Sequence, residues 1–102
     1  MTPAERIQAV IDMVLAEMPE RVSRAELLGD SRRPHVLRAR DMAALTLACA
    51  GGLTQRAIGR ALRRDPSTIS VALDRASRRC TEDQLWATRA HILVTKAEEL
   101  FA

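Results

Sequence analysis

The twenty residues from Gln55 to Asp74, QRAIGRALRRDPSTISVALD, constrain the fold more than any other stretch of this chain. Ala57, Ile58, Ala61 and Leu62 recur at the one, three, four spacing of a helix that buries a single stripe. The stripe stops at Arg63. Asp65-Pro66 then follows the arginine pair, and each residue has a mechanical reason to be there. Aspartate accepts hydrogen bonds from the orphan N–H groups of a helix start, and proline suits the first helical position because its missing N–H had no partner there. A second helix is therefore expected from about Pro66. Its buried side would carry Ile69, Ala72, Leu73 and Ala76, leaving Ser67, Val71, Asp74 and Arg78 on the opposite face. Two short helices joined by a tight turn are thus expected over about 54–79.

The rest of the composition agrees with an all-α chain. A length of 102 residues suits one domain with a small core. The 47% hydrophobic content is mostly Ala, Leu, Val and Ile, with one Trp, one Phe and no Tyr, which favours closely packed helices over a sheet. No apolar run reaches the length that crosses a bilayer, and the N-terminus lacks the basic-then-apolar layout of a signal peptide. The expectation is a cytoplasmic protein with no membrane partner. Cys49 and Cys80 stand apart, without a CxxC or a histidine at metal spacing, and read as small buried or half-buried thiols.

The formal net charge of +3 conceals an asymmetry. Between Ser31 and Cys80 lie eleven arginines against only Asp41, Asp65 and Asp74; outside that window five basic residues face ten acidic ones. A basic middle between acidic ends is the footprint of a phosphate-binding surface. Fifteen of the sixteen basic residues are arginine, so it is their clustering that carries the information.

Taken in order, Thr2-Pro3-Ala4-Glu5 is a capping box with proline at the first helical position. It opens a helix over about 3–18 whose stripe is Ile7, Val10, Ile11, Val14, Leu15 and Met18. The polar face of that helix, Glu5, Gln8, Asp12 and Glu17, is acidic and is expected to point away from any polyanion. A second box at Ser23-Arg24-Ala25-Glu26 opens a short helix that Gly29 stops. A long helix is expected from Pro34 to about Cys49, ended by Gly51-Gly52, with Val36, Leu37, Ala39, Met42, Ala43, Leu47 and Ala50 giving a broad apolar surface. Arg32, Arg33, Arg38 and Arg40 gather at its start, where cations oppose the helix dipole, which suggests a partner anion. Thr54 is the expected N-cap of the helix that follows. A third box, Thr81-Glu82-Asp83-Gln84, predicts a last helix over about 82–100, with Leu85, Trp86, Ile92, Leu93, Ala97 and Leu100 inward. That helix would either return against the first or pair with its copy in a homodimer. The expected architecture is a compact bundle of five to six helices in one domain.

Catalysis needs a nucleophile, a base and an orienting group within reach. His35 sits in an arginine-rich stretch, His91 has no acidic or cysteine partner at helical spacing, and Glu82-Asp83 and Glu98-Glu99 read as solvated helix ends. No GxxxxGK[ST] occurs to cradle a nucleotide. The chain is expected to be neither an enzyme nor a cofactor or metal binder.

Two helices, a turn, small polar residues at the opening of the second and flanking arginines together read as a helix-turn-helix that presents Pro66 to Val71 to the DNA major groove. From Val22 to about Arg78 the chain resembles the C-terminal DNA-binding domain of the bacterial replication initiator DnaA, within the Trp-repressor-like helix-turn-helix group. The resemblance rests on SRAELLGDSRRPHVLRARDMAALTL and on IGRALRRDPSTISVA, where Ile58, Gly59, Leu62, Arg64, Asp65, Ser67, Thr68, Ile69 and Ala72 fit the family signature. It implies duplex recognition with Arg64 to Thr68 in the major groove, Arg32 at a minor groove or phosphate, and Arg40 on the backbone. The family's base-reading histidine is Pro66 here, and the loop before Arg64 is one residue shorter, with Arg63 in place of glycine. The implied target therefore differs from the initiator's own box.

The function expected from the sequence is specific binding of double-stranded DNA by a small bacterial or phage transcriptional regulator at the nucleoid. Arg32, Arg33, Arg40, Arg56, Arg60 and Arg63 would supply phosphate contacts, and Arg64, Ser67, Thr68, Ser70 and Val71 base discrimination, with Gln55, Asp65 and Pro66 completing the surface. The rivals are a protein-interaction adaptor that kept the bundle but lost DNA, meeting transcription machinery or a regulatory protein, and an accessory factor of transposition or replication.

Overall fold

A computed structural model describes all 102 residues as six helices with no strand: α1 (Pro3–Glu17), α2 (Arg24–Leu28), α3 (Pro34–Gly51), α4 (Gln55–Leu62), α5 (Pro66–Glu82) and α6 (Gln84–Phe101). The helix starts follow local chemistry. The Thr2 hydroxyl accepts from the Glu5 N–H at 3.1 Å while the Thr2 N–H donates to the Glu5 carboxylate at 3.0 Å; Ser23 and Glu26 repeat the exchange at the start of α2. Thr54 accepts from the Ala57 N–H and opens α4. Asp65 departs from expectation. It occupies the N-cap of α5, but its side chain caps nothing; its backbone carbonyl accepts from the Ile69 N–H and the proline at the next position removes one orphan donor.

Helix α3 is the spine, packed by all five other helices. Every residue from Ala39 to Leu47 is buried, so α3 has no solvent stripe. Alanines 39, 43 and 44 let neighbouring backbones approach closely, and the buried Thr46 hydroxyl donates back to the Met42 carbonyl at 2.8 Å. The helix runs through Gly51, and Gly52 terminates it in the left-handed region, where glycine carries no Cβ penalty.

Three expectations are corrected at the C-terminal end. Helix α5 does not stop near Arg79; it continues to Glu82, and Thr81 is inside it, its hydroxyl donating to the Arg78 carbonyl. The break comes at Asp83, whose extended backbone ends α5 and whose carboxylate accepts from the Trp86 N–H to start α6. On α6 the buried stripe is Trp86, Ala90, Leu93 and Ala97, whereas Leu85 and Ile92 face solvent, Leu85 at 77% exposure. Helix α6 returns along α3 and α1. Arg89 Nε donates to the Glu17 carbonyl at 2.9 Å and Lys96 Nζ to the Glu17 carboxylate at 2.7 Å, so α6 closes the end of α1.

Trp86 seals the α5–α6 corner. Its indole Nε1 donates to the Ala76 carbonyl at 3.1 Å, and the Arg79 guanidinium lies 5.1 Å from the ring centre. Both cysteines are free thiols; Cys80 is half-buried, but Cys49 is exposed, contrary to the reading of both as packed. No helix is long and apolar enough to cross a membrane.

Candidate nucleic-acid interface

A cleft of about 1150 Å³ lies between the loop entering α3, one face of α4, and the first turns of α5. Arg56 and Arg60 reach it from α4 because positions i and i+4 share a helix face, and Arg63 reaches it from the C-cap that follows. Arg32 enters from the loop before α3, and Pro66, Thr68 and Val71 form the α5 wall. Of the remaining residues singled out by sequence, Arg33 caps α3, Gln55 opens α4, and Ser67 and Ser70 stand exposed on α5 beside the cleft rather than lining it.

The turn that sets the α4–α5 angle has two special positions. The Arg63 N–H and the Arg64 N–H both donate to the Gly59 carbonyl, the latter at 2.8 Å, which folds the chain back on itself. A Cβ on Gly59 would collide with the Arg64 carbonyl oxygen, so only glycine fits at that point. Arg63 has φ 58° and ψ 48°, the only non-glycine residue with positive φ. Left-handed backbone in a residue with a Cβ carries a cost of roughly 1 kcal/mol or more.

Two arginines assigned to DNA by sequence are instead committed to the fold. Arg40 is 7% exposed; its Nε donates to the Leu27 carbonyl at 2.7 Å and its Nη2 to the Glu26 and Gly29 carbonyls, each at 2.9 Å. Those are the orphan carbonyls of the α2 end, where a cation is favoured. Burial, and next the charge of Arg64, push the Arg40 guanidinium down from its ordinary value. Arg64 lies half-buried beside it, bonding to the Arg63 carbonyl at 2.9 Å and to the Gly29 carbonyl. Its guanidinium ties the α4–α5 turn to the α2 end and is not extended toward a base edge.

The remaining arginines divide sharply. Arg38 pairs with Glu20 at 2.7 Å, and Arg78 with Asp74 on the outer face of α5. Arg75 makes a bidentate pair with Asp41, Nε to Oδ2 at 2.7 Å and Nη2 to Oδ1 at 2.8 Å, which raises the Arg75 pKa. The Asp41 side chain is 2% exposed. Sequence reading missed this pair, since its members are 34 residues apart and no local pattern connects them. It also missed Asp30 and Leu37 as cleft residues. By contrast, the side chains of Arg32, Arg33, Arg56, Arg60 and Arg63 make no hydrogen bond or ion pair within the protein; the same holds for Arg6 and Arg21, and for Arg79, which lies over the Trp86 ring.

The arrangement offers four unpartnered guanidinium groups around a concavity, with Arg33 next to Arg32 in the chain, two carboxylates in the lining (Asp30 and Asp65), and a wall of small hydroxyl and aliphatic side chains. It can hold an extended polyanion. No cluster of His, Cys, Asp and Glu gathers anywhere to hold a metal ion. Compared with protein-family models, with curated proteins and with solved structures, the chain finds no match.

Proposed function

We propose that the protein binds double-stranded DNA, using α4 and α5 as a helix-turn-helix, and that it acts as a small sequence-specific regulator. The observation that carries the reading is the set of arginines without internal partners around the outward-facing start of α5. What distinguishes these arginines from Arg6, Arg21 and Arg79, which also lack an internal hydrogen-bond or ion-pair partner, is convergence: Arg32, Arg56, Arg60 and Arg63 line one cleft and Arg33 adjoins Arg32 in sequence, a cluster that suits a run of phosphates. Phosphate contacts fall to Arg32, Arg33, Arg56, Arg60 and Arg63. Base contacts fall to Ser67, Thr68, Ser70 and Val71, which stand exposed on the first two turns of α5. Arg40 and Arg64 act beneath, holding the α2 end against the turn so that the two helices keep their angle. The likeness to the initiator's DNA-binding domain supports the same reading through Ile58-Gly59 and the residues after the turn.

Titration of random-sequence duplex at several salt concentrations tests this. If the five arginines meet phosphates, the logarithm of the binding constant falls against the logarithm of salt with a slope of roughly −4.5. Absence of binding at low salt, or binding indifferent to salt, ends the proposal.

A further inference from the structure

The chemistry of the α5 wall narrows which DNA features the cleft can read, given that it binds a duplex. Strong purine readout in the major groove uses paired donors and acceptors on one side chain: arginine or lysine against guanine, asparagine or glutamine against adenine. The exposed face of α5 over its first two turns carries none of these; it presents Ser67, Thr68, Ser70 and Val71. Arg64, the nearest guanidinium in sequence, is turned back onto the carbonyls of Arg63 and Gly29. Asp74, which could accept from a cytosine amino group, is engaged by Arg78. What the wall does present is Val71, an aliphatic side chain 57% exposed in a cleft otherwise lined mainly by charged and polar residues. Solvent exposure of a branched aliphatic there brings the free protein no burial, whereas the pyrimidine C5 position in the major groove offers an apolar methyl group of matching size.

We infer that α5 discriminates bases chiefly through the C5-methyl group of a pyrimidine seated against Val71, so the preferred site carries thymine at that position and accepts 5-methylcytosine in its place. Thr68, whose side chain also lines the cleft, supplies a second methyl and a hydroxyl beside it. Binding is then sensitive to methylation of cytosine wherever a cytosine occupies the thymine register.

The test uses the whole protein and a duplex selected by it from a random pool. Each thymine is replaced in turn by deoxyuridine, which removes the C5-methyl group and leaves the pairing edge intact. At one or two positions affinity should fall about fourfold, the effect of withdrawing one methyl from an apolar contact. At the sensitive position cytosine should weaken binding and 5-methylcytosine should recover the methyl share of the loss. Val71→Ala, an exposed change that leaves the core untouched, should bind more weakly and respond less to deoxyuridine. A selected site without thymine, uniform indifference to deoxyuridine, or an undiminished response in Val71→Ala overturns the inference while leaving DNA binding intact. Failure to bind any duplex removes both.

Discussion

Arginine and lysine do different work on two sides of this molecule. On the side of α1 and α6, three of them close the fold: Arg24 of α2 reaches Gln8 and Asp12 of α1, while Arg89 and Lys96 of α6 both grip Glu17, joining residues up to 79 positions apart. Around the cleft they are layered. Arg40, Arg64 and Arg75 lie beneath, spent on carbonyls and on Asp41, and Arg32, Arg56, Arg60 and Arg63 stand above them with nothing internal to hold. The difference teaches that a basic stretch of sequence is not one kind of surface. Around this cleft, the guanidinium groups within reach of carbonyls or of Asp41 build the frame, and the rest are left without an internal partner.

The largest effect expected from breaking the lower layer is at Arg40. Arg40→Ala leaves three carbonyls at the α2 end without their donor and empties a buried volume, for a loss of about 3 kcal/mol in denaturant unfolding. Arg40→Lys should recover little of it, since one ammonium group cannot span the fork. Next comes Arg75→Ala, which strands the Asp41 carboxylate at 2% exposure. Buried pairs broken this way lose about 3 kcal/mol. Because Arg75 itself is 42% exposed, part of that is screened, and roughly 2 kcal/mol is expected. If either variant melts like the parent, the layered picture fails.

The upper layer should behave oppositely. Arg63→Gly relieves the left-handed backbone and should raise stability by about 1 kcal/mol, read as a higher melting temperature, while weakening DNA. A fall in both would mean that the arginine serves the fold. Arg56→Ala and Arg60→Ala should each leave stability within about 0.5 kcal/mol and reduce the salt slope of duplex binding by about one.

The smallest effect separates the two sides by acid. Hydrogen bonds from Thr2 hold Glu5 below the ordinary carboxyl value of 4.5, those from Ser23 hold Glu26 below it, and Lys96 does the same for Glu17. A carboxylate depressed in the folded state contributes stability above that value, and the contribution is lost as pH falls through the lower folded pKa. All three lie outside the cleft. A melting series from pH 6 to about pH 3 should therefore decline in the parent and decline less in Glu17→Gln, whose melting at pH 6 starts lower.

Most of the helices were legible because their determinants are local. Thr2 with Glu5, Ser23 with Glu26, Thr54, and the proline at the first position of α5 each act within a single turn. The α5–α6 break was misplaced for the same reason in reverse. Thr81 to Gln84 reads as a capping box, yet Asp83 caps better where Trp86 must swing inward against Ala76, a demand set by packing. Leu85 and Ile92 were placed inward by hydrophobicity although the face that meets α3 is set by Trp86, Ala90, Leu93 and Ala97. The basic side of the cleft was legible in the clustering of arginines around the turn, Arg56, Arg60 and Arg63 among them. The diversion of Arg40, Arg64 and Arg75 was not, because their partners lie 11 to 36 residues away, apart from those of Arg64 in its own turn, and sequence periodicity carries no information at that range.

With one tryptophan and no tyrosine in the chain, ultraviolet emission comes from a single indole, and that indole sits at the corner where α5 meets α6. Any tilt of α5 is transmitted to the Ala76 carbonyl and the Arg79 cation that frame it. The molecule thus carries an unlabelled optical reporter at the far end of α5 from the cleft. A change in fluorescence on adding duplex would follow docking in real time without altering a residue.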